Sequence, residues 1–157
     1  LLLVRGSGNV FPLIWAFTGD HKQVTYEAME ATSLWRVPKK DYLDFLDRNP
    51  EIMPVILDMA VEAYRLHSER VITLSYRTAR ERIISFMLTN SRRFGILNKD
   101  GSKTIHAPFR QSDIASSVNA TRETTSREIN VLRKKGYIDI VDHKLVLKDI
   151  ETLKSIL

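Results

Sequence analysis

The chain has 157 residues, 43% of them apolar, which is typical of one or two small globular domains. It has no cysteine and no run of 18 apolar residues, which excludes disulfides, cysteine-bound zinc, cysteine-held iron–sulfur clusters and a membrane span within this chain. The N-terminal residues are not expected to be a signal peptide, and a cytoplasmic location is the expectation. The net charge is +5, and residues 103–137 contribute +4 of it, from seven Lys/Arg and three Asp/Glu, as expected for a phosphate-binding patch.

The first part of the chain is punctuated by glycine and proline between short apolar runs, a pattern that predicts short strands and turns. The predicted strands include residues 24–28 (VTYEA) and 33–37 (SLWRV), and Trp15 and Trp35 are predicted core residues. A few short strands do not make a stable sandwich alone. Residues 1–48 are therefore predicted either to begin inside a larger β domain or to lean on the helix that follows.

A long helix is predicted from Glu51 to Thr73, starting after Asn49-Pro50 and spanning about 35 Å. One apolar row recurs at steps of four and three, the spacing of a coiled-coil seam, and is predicted to form a homodimer. This row consists of Ile52, Ile56, Met59, Ala63 and Leu66. A second row, predicted to face the chain's own domain, consists of Val55, Ala60, Tyr64 and Val71. The alternative is a helix buried in a single core.

A hinge is predicted at residues 74–77 (LSYR), which closes a dimerisation segment of residues 49–77. A helix from Thr78 to Arg93 opens the last predicted domain, residues 78–157, and a short strand at 103–106 follows a turn. The apolar face of that helix consists of Ile83, Ile84, Met87 and Leu88.

Residues 111–137 are predicted to form a helix, a tight turn and a second helix. Ser112 is the predicted N-cap of the first helix, and Asn119 suits the left-handed conformation at its end. Thr121 is the predicted N-cap of the second helix, and Gly136 ends it after a basic run. The buried stripe of the second helix is predicted to be Thr125, Ile129 and Leu132.

The exposed face of that second helix carries groups that can read DNA bases. Arginine can donate two hydrogen bonds to guanine O6 and N7, and glutamate can accept one from cytosine N4. The predicted base readers are Arg122, Glu123, Ser126 and Arg127. The predicted phosphate contacts are Gln111, Ser112, Thr121, Thr124 and Lys134. The alternative is a solvated helix face with ordinary charge pairs between neighbouring turns.

A strand hairpin is predicted after the second helix. Residues 137–141 and 144–147 alternate as strands around the two-residue turn Asp142-His143, and Asp149 is predicted to cap a final helix through Leu157. A helix-turn-helix followed by such a hairpin is a winged helix.

The order of these elements resembles the bacterial Crp/Fnr family of transcription regulators. The resemblance is strong in ARERIISFML (79–88) and in QSDIASSVNATRETTSREINVLRKKGYI (111–138). It is weaker in GNVFPLIWAF (8–17) and ATSLWRVPKKDYLDFLDRNPEI (31–52), which look like the second half of the family's cyclic-nucleotide-type β-roll. The implied fold is α+β, with a C-terminal winged helix-turn-helix domain, a long dimerisation helix and a partial N-terminal β-roll whose front lies outside this chain.

The resemblance also implies how the second helix reads DNA. In the cyclic-AMP receptor branch, the residues matching Arg122, Glu123 and Arg127 read a TGTGA-type half-site. In the Fnr branch, those matching Glu123, Ser126 and Arg127 read a TTGAT-type half-site. The expected function is transcription regulation by a homodimer on a pseudo-palindrome with TGA-containing halves, with double-stranded DNA, and further RNA polymerase, as partners. The alternative is a winged-helix module that contacts protein or RNA without reading DNA sequence.

No cofactor is expected within this chain, and its residues do not identify the effector. Nucleotide-binding members carry a Gly-Glu pair and an Arg-Ser/Thr pair, whereas the matching places read Phe11-Pro12-Leu13 and residues 22–25 (KQVT), so ordinary cyclic-AMP binding is not expected. The histidines are scattered singly, and no metal site is predicted from them. With no glycine-rich phosphate loop, nucleophile motif or paired His-Asp arrangement, no catalytic residue is assigned and the chain is not expected to be an enzyme.

Overall fold

The computed structural model describes residues 3–19 and 24–157. Residues 4–69 form one compact unit and residues 70–157 form another. The helices are α1 (Leu13–Thr18), α2 (Lys39–Arg48), α3 (Met53–Tyr76), α4 (Ala79–Phe94), α5 (Gln111–Ser117), α6 (Arg122–Lys134) and α7 (Ile150–Ser155). The strands are β1 (Gly95–Leu97), β2 (Lys103–Ile105), β3 (Ile138–Val141) and β4 (Lys144–Leu147). Within the KQVT segment and among the scattered histidines, Lys22, Gln23 and His21 lie outside the described residues.

The predicted N-terminal strands are wrong as local structure. No strand occurs among the described residues before Gly95, and residues 24–28 and 33–37 have no strand partner there. Trp35 is 99% exposed, so the prediction that it lies in the core is also wrong. The physical reason is that a strand needs a neighbouring strand to satisfy its backbone hydrogen bonds, and alternating apolar residues cannot supply that neighbour.

Helix α1 is held by contacts that the sequence pattern did not indicate. Gly19 ends it in the left-handed conformation, with φ of 79°, and its backbone N–H donates to the Trp15 carbonyl at 3.0 Å. The Lys39 Nζ of α2 also donates to that carbonyl, at 3.4 Å, and lies 5.8 Å from the centre of the Trp15 ring. Trp15 is thus half-buried and in contact with a cation.

The predicted long helix is confirmed, but it runs from Met53 to Tyr76 instead of from Glu51 to Thr73. A short 3₁₀ turn at Pro50–Ile52 leads into α3, where Pro54 is tolerated because first-turn residues need donate no intrahelical hydrogen bond. Residues 74–76 of the predicted hinge are helical, so the break falls at Arg77 and Thr78 instead. It falls there because Thr78 and Glu81 form a capping box: the Thr78 N–H donates to Glu81 Oε2 at 2.7 Å, and Thr78 Oγ1 accepts from the Glu81 N–H at 3.4 Å.

The core of the second unit lies between α4, the helix-turn-helix and the sheet. The apolar face predicted for α4 is confirmed as buried. Phe86 of α4 packs edge-on against Phe109, with ring centres 4.9 Å apart. Each fully buried aliphatic side chain contributes roughly 1.5–3 kcal/mol relative to exposure. The fully buried aliphatic side chains are Ile83, Ile84, Met87, Ile105, Ile114, Ile129, Leu132, Ile138, Leu147 and Leu153.

A four-stranded antiparallel sheet, in the order β1-β2-β4-β3, closes this core. The predicted wing is confirmed: β3 and β4 are joined by Asp142 and His143, both left-handed with φ of 49° and 61°, as a type I′ turn requires. Strand β1 was not predicted. It follows α4 without a loop at Gly95, where an added Cβ would lie 2.1 Å from the Ser91 carbonyl oxygen.

Helix α7 starts as predicted and ends earlier. The Asp149 side chain caps it by accepting from the Thr152 N–H at 2.9 Å. The helix stops at Ser155 rather than at Leu157, which is 40% exposed. Leu153 is the residue that ties this helix to the core, because it is fully buried.

Asp139 of β3 ties the wing to its surroundings and should make it sensitive to acid. The hydrogen bond from Lys148 holds the pKa of Asp139 below its usual value, helped by the Ile140 backbone N–H and by Arg133. A lowered carboxyl pKa stabilises the fold above the unfolded-state pKa of about 3.9, and this contribution is lost as pH falls through the folded-state pKa. We expect Asp139→Asn to lower the urea midpoint at pH 7, with a difference that shrinks below about pH 4. The matched control is Asp142→Asn, at the tip of the same hairpin, and a pH-independent difference for Asp139→Asn would contradict the assignment.

Candidate nucleic-acid interface

The first helix of the helix-turn-helix, α5, begins two residues earlier than predicted. Its N-cap is Arg110, whose backbone N–H donates to Asp113 Oδ2 at 2.8 Å, so the prediction of Ser112 as N-cap is wrong. Arg110 has the extended conformation of a cap and Ser112 is already helical, which leaves Ser112 half-buried in the first turn.

The turn between α5 and α6 forms as predicted. Asn119 is left-handed with φ of 49°, and the Ala120 N–H donates to the Ala115 carbonyl at 3.0 Å. Ala115 is 4% exposed, so its small side chain is buried. A tight turn of this kind fixes the angle between α5 and α6.

Both ends of α6 are fixed by the residues that were predicted to fix them. Thr121 Oγ1 accepts from the Thr124 N–H at 3.1 Å, which caps the start. At the other end Gly136 is left-handed, and its N–H donates to the Arg133 carbonyl oxygen at 2.9 Å. The Tyr137 N–H donates to the Leu132 carbonyl oxygen at 3.1 Å, and the two hydrogen bonds form a Schellman motif. The predicted stripe of Thr125, Ile129 and Leu132 is buried, with at most 1% exposure.

The buried stripe turns the polar residues of α6 outward. Arg122, Glu123 and Arg127 are exposed, and Ser126 is half-buried beside them. They line an open concavity of about 630 Å³ together with Gln111, Asn130, Val131 and Lys134. The structure thus gathers the four predicted base readers with two of the predicted phosphate contacts, Gln111 and Lys134. Asn130 and Val131 add an amide and an apolar group, which suit adenine and the thymine methyl.

The other predicted phosphate contacts lie outside this concavity. The Thr121 hydroxyl donates to Thr124 Oγ1 at 3.0 Å while it accepts from the Thr124 N–H, so it is engaged in capping. Ser112 and Thr124 are half-buried. The first backbone N–H groups of α6 remain as donors for an anion such as a DNA phosphate at this helix start.

We expect Thr121→Ala to destabilise the protein by about 1 kcal/mol, because it removes the side-chain acceptor for the Thr124 N–H. Urea unfolding at pH 7 would measure the change. Thr121→Ser is the matched control, since serine keeps the hydroxyl acceptor. Equal stability of the alanine and serine variants would show that the cap contributes nothing measurable.

Two contacts of the helix-turn-helix were not predicted from the sequence. The Glu128 carboxylate of α6 accepts from Arg80 Nε of α4 at 2.7 Å and lies 3.6 Å from Arg127 Nε. The Arg70 guanidinium of α3 donates to the Ser117 carbonyl, the last residue of α5, at 2.5 Å. Arg80 and Glu128 are 48 positions apart and Arg70 and Ser117 are 47 positions apart, and no local sequence pattern indicates such pairs.

The two apolar rows of α3 are placed differently from what was predicted. Of the row predicted to form the dimer, Ile56 and Leu66 are buried and the other three residues are half-buried. The second row does not face the chain's own domain, because Val55, Tyr64 and Val71 are 51%, 75% and 64% exposed. That expectation is wrong: the larger aliphatic groups of the first row are the ones that the single chain covers.

An exposed stripe with coiled-coil spacing lies beside the covered row. Met53, Leu57 and Tyr64 are 42%, 61% and 75% exposed, and Ala60 between them is exposed as well. We call Met53, Leu57, Ala60 and Tyr64 the exposed stripe. Its steps of four, three and four are those of a helix that packs against another helix, and each member follows a residue of the predicted row by one position.

Neither a cluster of metal-ligating side chains nor a membrane-spanning helix occurs in the described residues. In residues 3–19 and 24–157, no three histidine, aspartate or glutamate side chains cluster as metal ligands would. In the same ranges, no helix combines the length and hydropathy that a bilayer crossing requires.

A family model for the Crp-like helix-turn-helix domain matches residues 81–156. The global nitrogen regulator of Nostoc sp. (strain PCC 7120) is 30% identical over 148 residues, which cover 92% of this chain and 66% of that protein. The nitrogen fixation regulation protein FixK of Azorhizobium caulinodans is 27% identical over 130 residues, covering 83% of this chain and 52% of that protein. The chain thus spans between half and two thirds of the length of these relatives.

Solved structures share the fold at lower identity. A mutant of CooA from Carboxydothermus hydrogenoformans matches with a TM-score of 0.67 at 20% identity, over 74% of this chain and 54% of that one. FixK2 from Bradyrhizobium japonicum matches with a TM-score of 0.65 at 21% identity, over 76% of this chain and 58% of that one.

Proposed function

Because the chain belongs to the Crp/Fnr family of bacterial transcription regulators, we propose that it binds double-stranded DNA as a homodimer and regulates transcription from the bound site. The observation that carries the proposal is the outward face of α6, where Arg122, Glu123 and Arg127 are exposed on a helix that is capped at both ends. A rigid helix with such a face can enter the major groove and present its first turns to base edges.

In the proposed complex the side chains divide into base readers and phosphate contacts. Arg127 donates two hydrogen bonds to a guanine, and Glu123 accepts one from a cytosine. Arg122 and Ser126 set the outer bases of a TGA-containing half-site. Gln111, Lys134 and the backbone N–H groups at the start of α6 bind phosphates, which contribute affinity that falls as salt rises.

A second copy of the chain would dock on the exposed stripe of α3. Three large apolar side chains at coiled-coil spacing are costly to leave in water, and an identical helix offers them a matching surface. A two-fold dimer places two recognition helices in successive major grooves about 34 Å apart, which calls for a pseudo-palindromic site.

The effector is unassigned, and ordinary cyclic AMP is not expected, because Phe11-Pro12-Leu13 stands where nucleotide-binding relatives carry a Gly-Glu pair. The protein would act by binding rather than by catalysis, in the cytoplasm where bacterial DNA lies, with RNA polymerase as the further partner of the DNA-bound dimer.

Selection of binding sites from a random DNA pool, at near-physiological salt, tests the proposal. Enrichment of a two-fold site with TGA-containing halves supports the base readers, the dimer and the half-site spacing together. Recovery of no motif, with binding that only falls as salt rises, would reject sequence-specific readout and favour the other candidate, a winged-helix module that contacts protein or RNA.

A further inference from the structure

We propose that Glu128 is a positioning residue for the arginine that reads the half-site, so that base discrimination depends on a carboxylate that does not touch DNA. This inference rests on the proposed function, because Glu128 can affect readout only if Arg127 enters the groove. It assigns a specificity-determining role to a residue on the side of α6 that turns away from the DNA.

Glu128 lies between two arginines and gives each of them one carboxylate oxygen. Its Oε2 accepts from Arg80 Nε of α4 at 2.7 Å, and its Oε1 lies 3.6 Å from Arg127 Nε. The Glu128 side chain is 12% exposed, whereas that of Arg127 is 70% exposed. The carboxylate is therefore fixed to the protein, and the arginine beside it reaches into solvent.

The attraction acts on the part of Arg127 that need not contact a base. A guanidinium has five N–H donors in a planar fork, and two of them suffice for guanine O6 and N7. With its Nε beside Glu128, Arg127 keeps both terminal nitrogens free to face the groove. A long side chain that is partly ordered before binding loses less conformational entropy on binding, so the bidentate contact becomes more favourable.

Arg80 keeps Glu128 in place and reduces the repulsion between the Glu128 carboxylate and DNA phosphates. An isolated carboxylate at the DNA surface would repel phosphates, but pairing with Arg80 offsets its charge locally. A glutamate that served only to join α4 to α6 would need one oxygen and one arginine. The second oxygen beside Arg127 is what links this ion pair to the base reader.

The test compares Glu128→Gln with the unmodified protein on DNA. The ligands are the selected two-fold site, the same site with the Arg127 base pair replaced, and random-sequence DNA. We expect the ratio of affinities for the first two to fall by about fivefold, with affinity for random DNA unchanged or higher because a negative charge has been removed. Glu151→Gln is the matched control, since Glu151 lies on α7 with an 83% exposed side chain paired to Lys154. That control should leave the ratio unchanged.

Two further variants separate positioning from a purely structural role. In an Arg127→Ala background, Glu128→Gln should not change the ratio further, because the reader is already gone. The exchanged pair Arg80→Glu with Glu128→Arg restores an α4–α6 ion pair, so the melting temperature should recover relative to each single variant while the ratio does not.

The inference would be overturned if Glu128→Gln left the affinity ratio at its unmodified value. It would also be overturned if Glu128→Gln lowered the ratio by the same factor in the Arg127→Ala background. A ratio that recovers together with stability in the exchanged pair would do the same, since Glu128 would then act only through the fold. An unmodified protein that selects no site at all would instead reject the proposed function.

Discussion

Arg127→Ala is expected to weaken binding to the selected site by about 1–3 kcal/mol, a factor of roughly 5–150, and to relax selectivity at one base pair of each half-site. Arg127 is exposed, lines the α6 concavity and is, with Glu123, one of the two residues that both family patterns place on a base. Its removal leaves a guanine without a bidentate partner, while the buried stripe of α6 stays intact. Fluorescence titrations with the selected site and with single-base variants would measure both effects.

Lys134→Ala is the matched comparison, because it removes one positive charge from the same concavity. As a phosphate contact, Lys134 should contribute almost equally to every DNA sequence, and its loss should reduce the slope of log affinity against log salt by about one. If Arg127→Ala weakened cognate and random DNA equally, Arg127 would be a phosphate contact and not a base reader.

Leu57→Asp is expected to convert the dimer to monomers and to lower affinity for the two-fold site by roughly a hundredfold. A charge in the middle of the exposed stripe would be buried without a partner in each of the two facing helices. Once the subunits separate, each half-site is bound independently, and the gain from linking two binding events is lost. Sedimentation at micromolar protein, followed by DNA titration, would show the two effects together.

Val55→Asp controls for the charge itself. Val55 lies on the same helix with 51% exposure, compared with 61% for Leu57, and two residues at 100° each place it on nearly the opposite side. It should leave both the dimer and the DNA affinity unchanged. A Leu57→Asp protein that remained dimeric would show that the second copy docks elsewhere.

The helix-turn-helix and the wing could be predicted from the sequence because their signals are local. The Thr121 cap, the left-handed Asn119 and Gly136, and the type I′ turn at Asp142 each depend on one or two residues with special backbone or side-chain chemistry. The prediction of Ser112 as the N-cap of α5 was wrong because serine is a common capping residue, whereas here Arg110 is the N-cap and its backbone N–H donates to Asp113.

The surface of α3 could not be predicted, because its two seams differ by a single residue. Ile56 and Leu57 begin equally good four-three patterns, and spacing alone does not say which of them the chain covers. Residue type does not decide either, because the covered row contains Met59, Ala63 and Leu66, and the exposed stripe contains Met53, Leu57 and Ala60. Residues 24–37 present a similar difficulty, because alternating apolar and polar residues indicate strands without indicating a neighbouring strand to pair with.

Contacts between residues that are distant in the sequence could not be predicted either. Strand β1 exists because Ile105 and its neighbours in β2 are available to pair with Gly95–Leu97, not because three residues favour a strand. Likewise the sequence shows Glu128 only as one polar residue of a helix, and its ion pair with Arg80 is visible only in the folded structure. Of the candidate nucleic-acid interface, the helix that carries it was predictable, while the contacts of Glu128 with Arg80 and Arg127 were not.

The hydrogen bond from Arg70 to Ser117 determines how short a fragment can be cut for crystallisation or NMR. The carbonyl that it satisfies is one of those that α5 leaves unpaired at its C-terminus, and a guanidinium there also complements the helix dipole. A fragment that begins at residue 78, the boundary suggested by the sequence, loses this donor, whereas one that begins at residue 70 keeps it and coincides with the compact unit. The eight residues between the two starting points were assigned by sequence to the dimerisation segment, yet Arg70 among them is hydrogen-bonded to the helix-turn-helix.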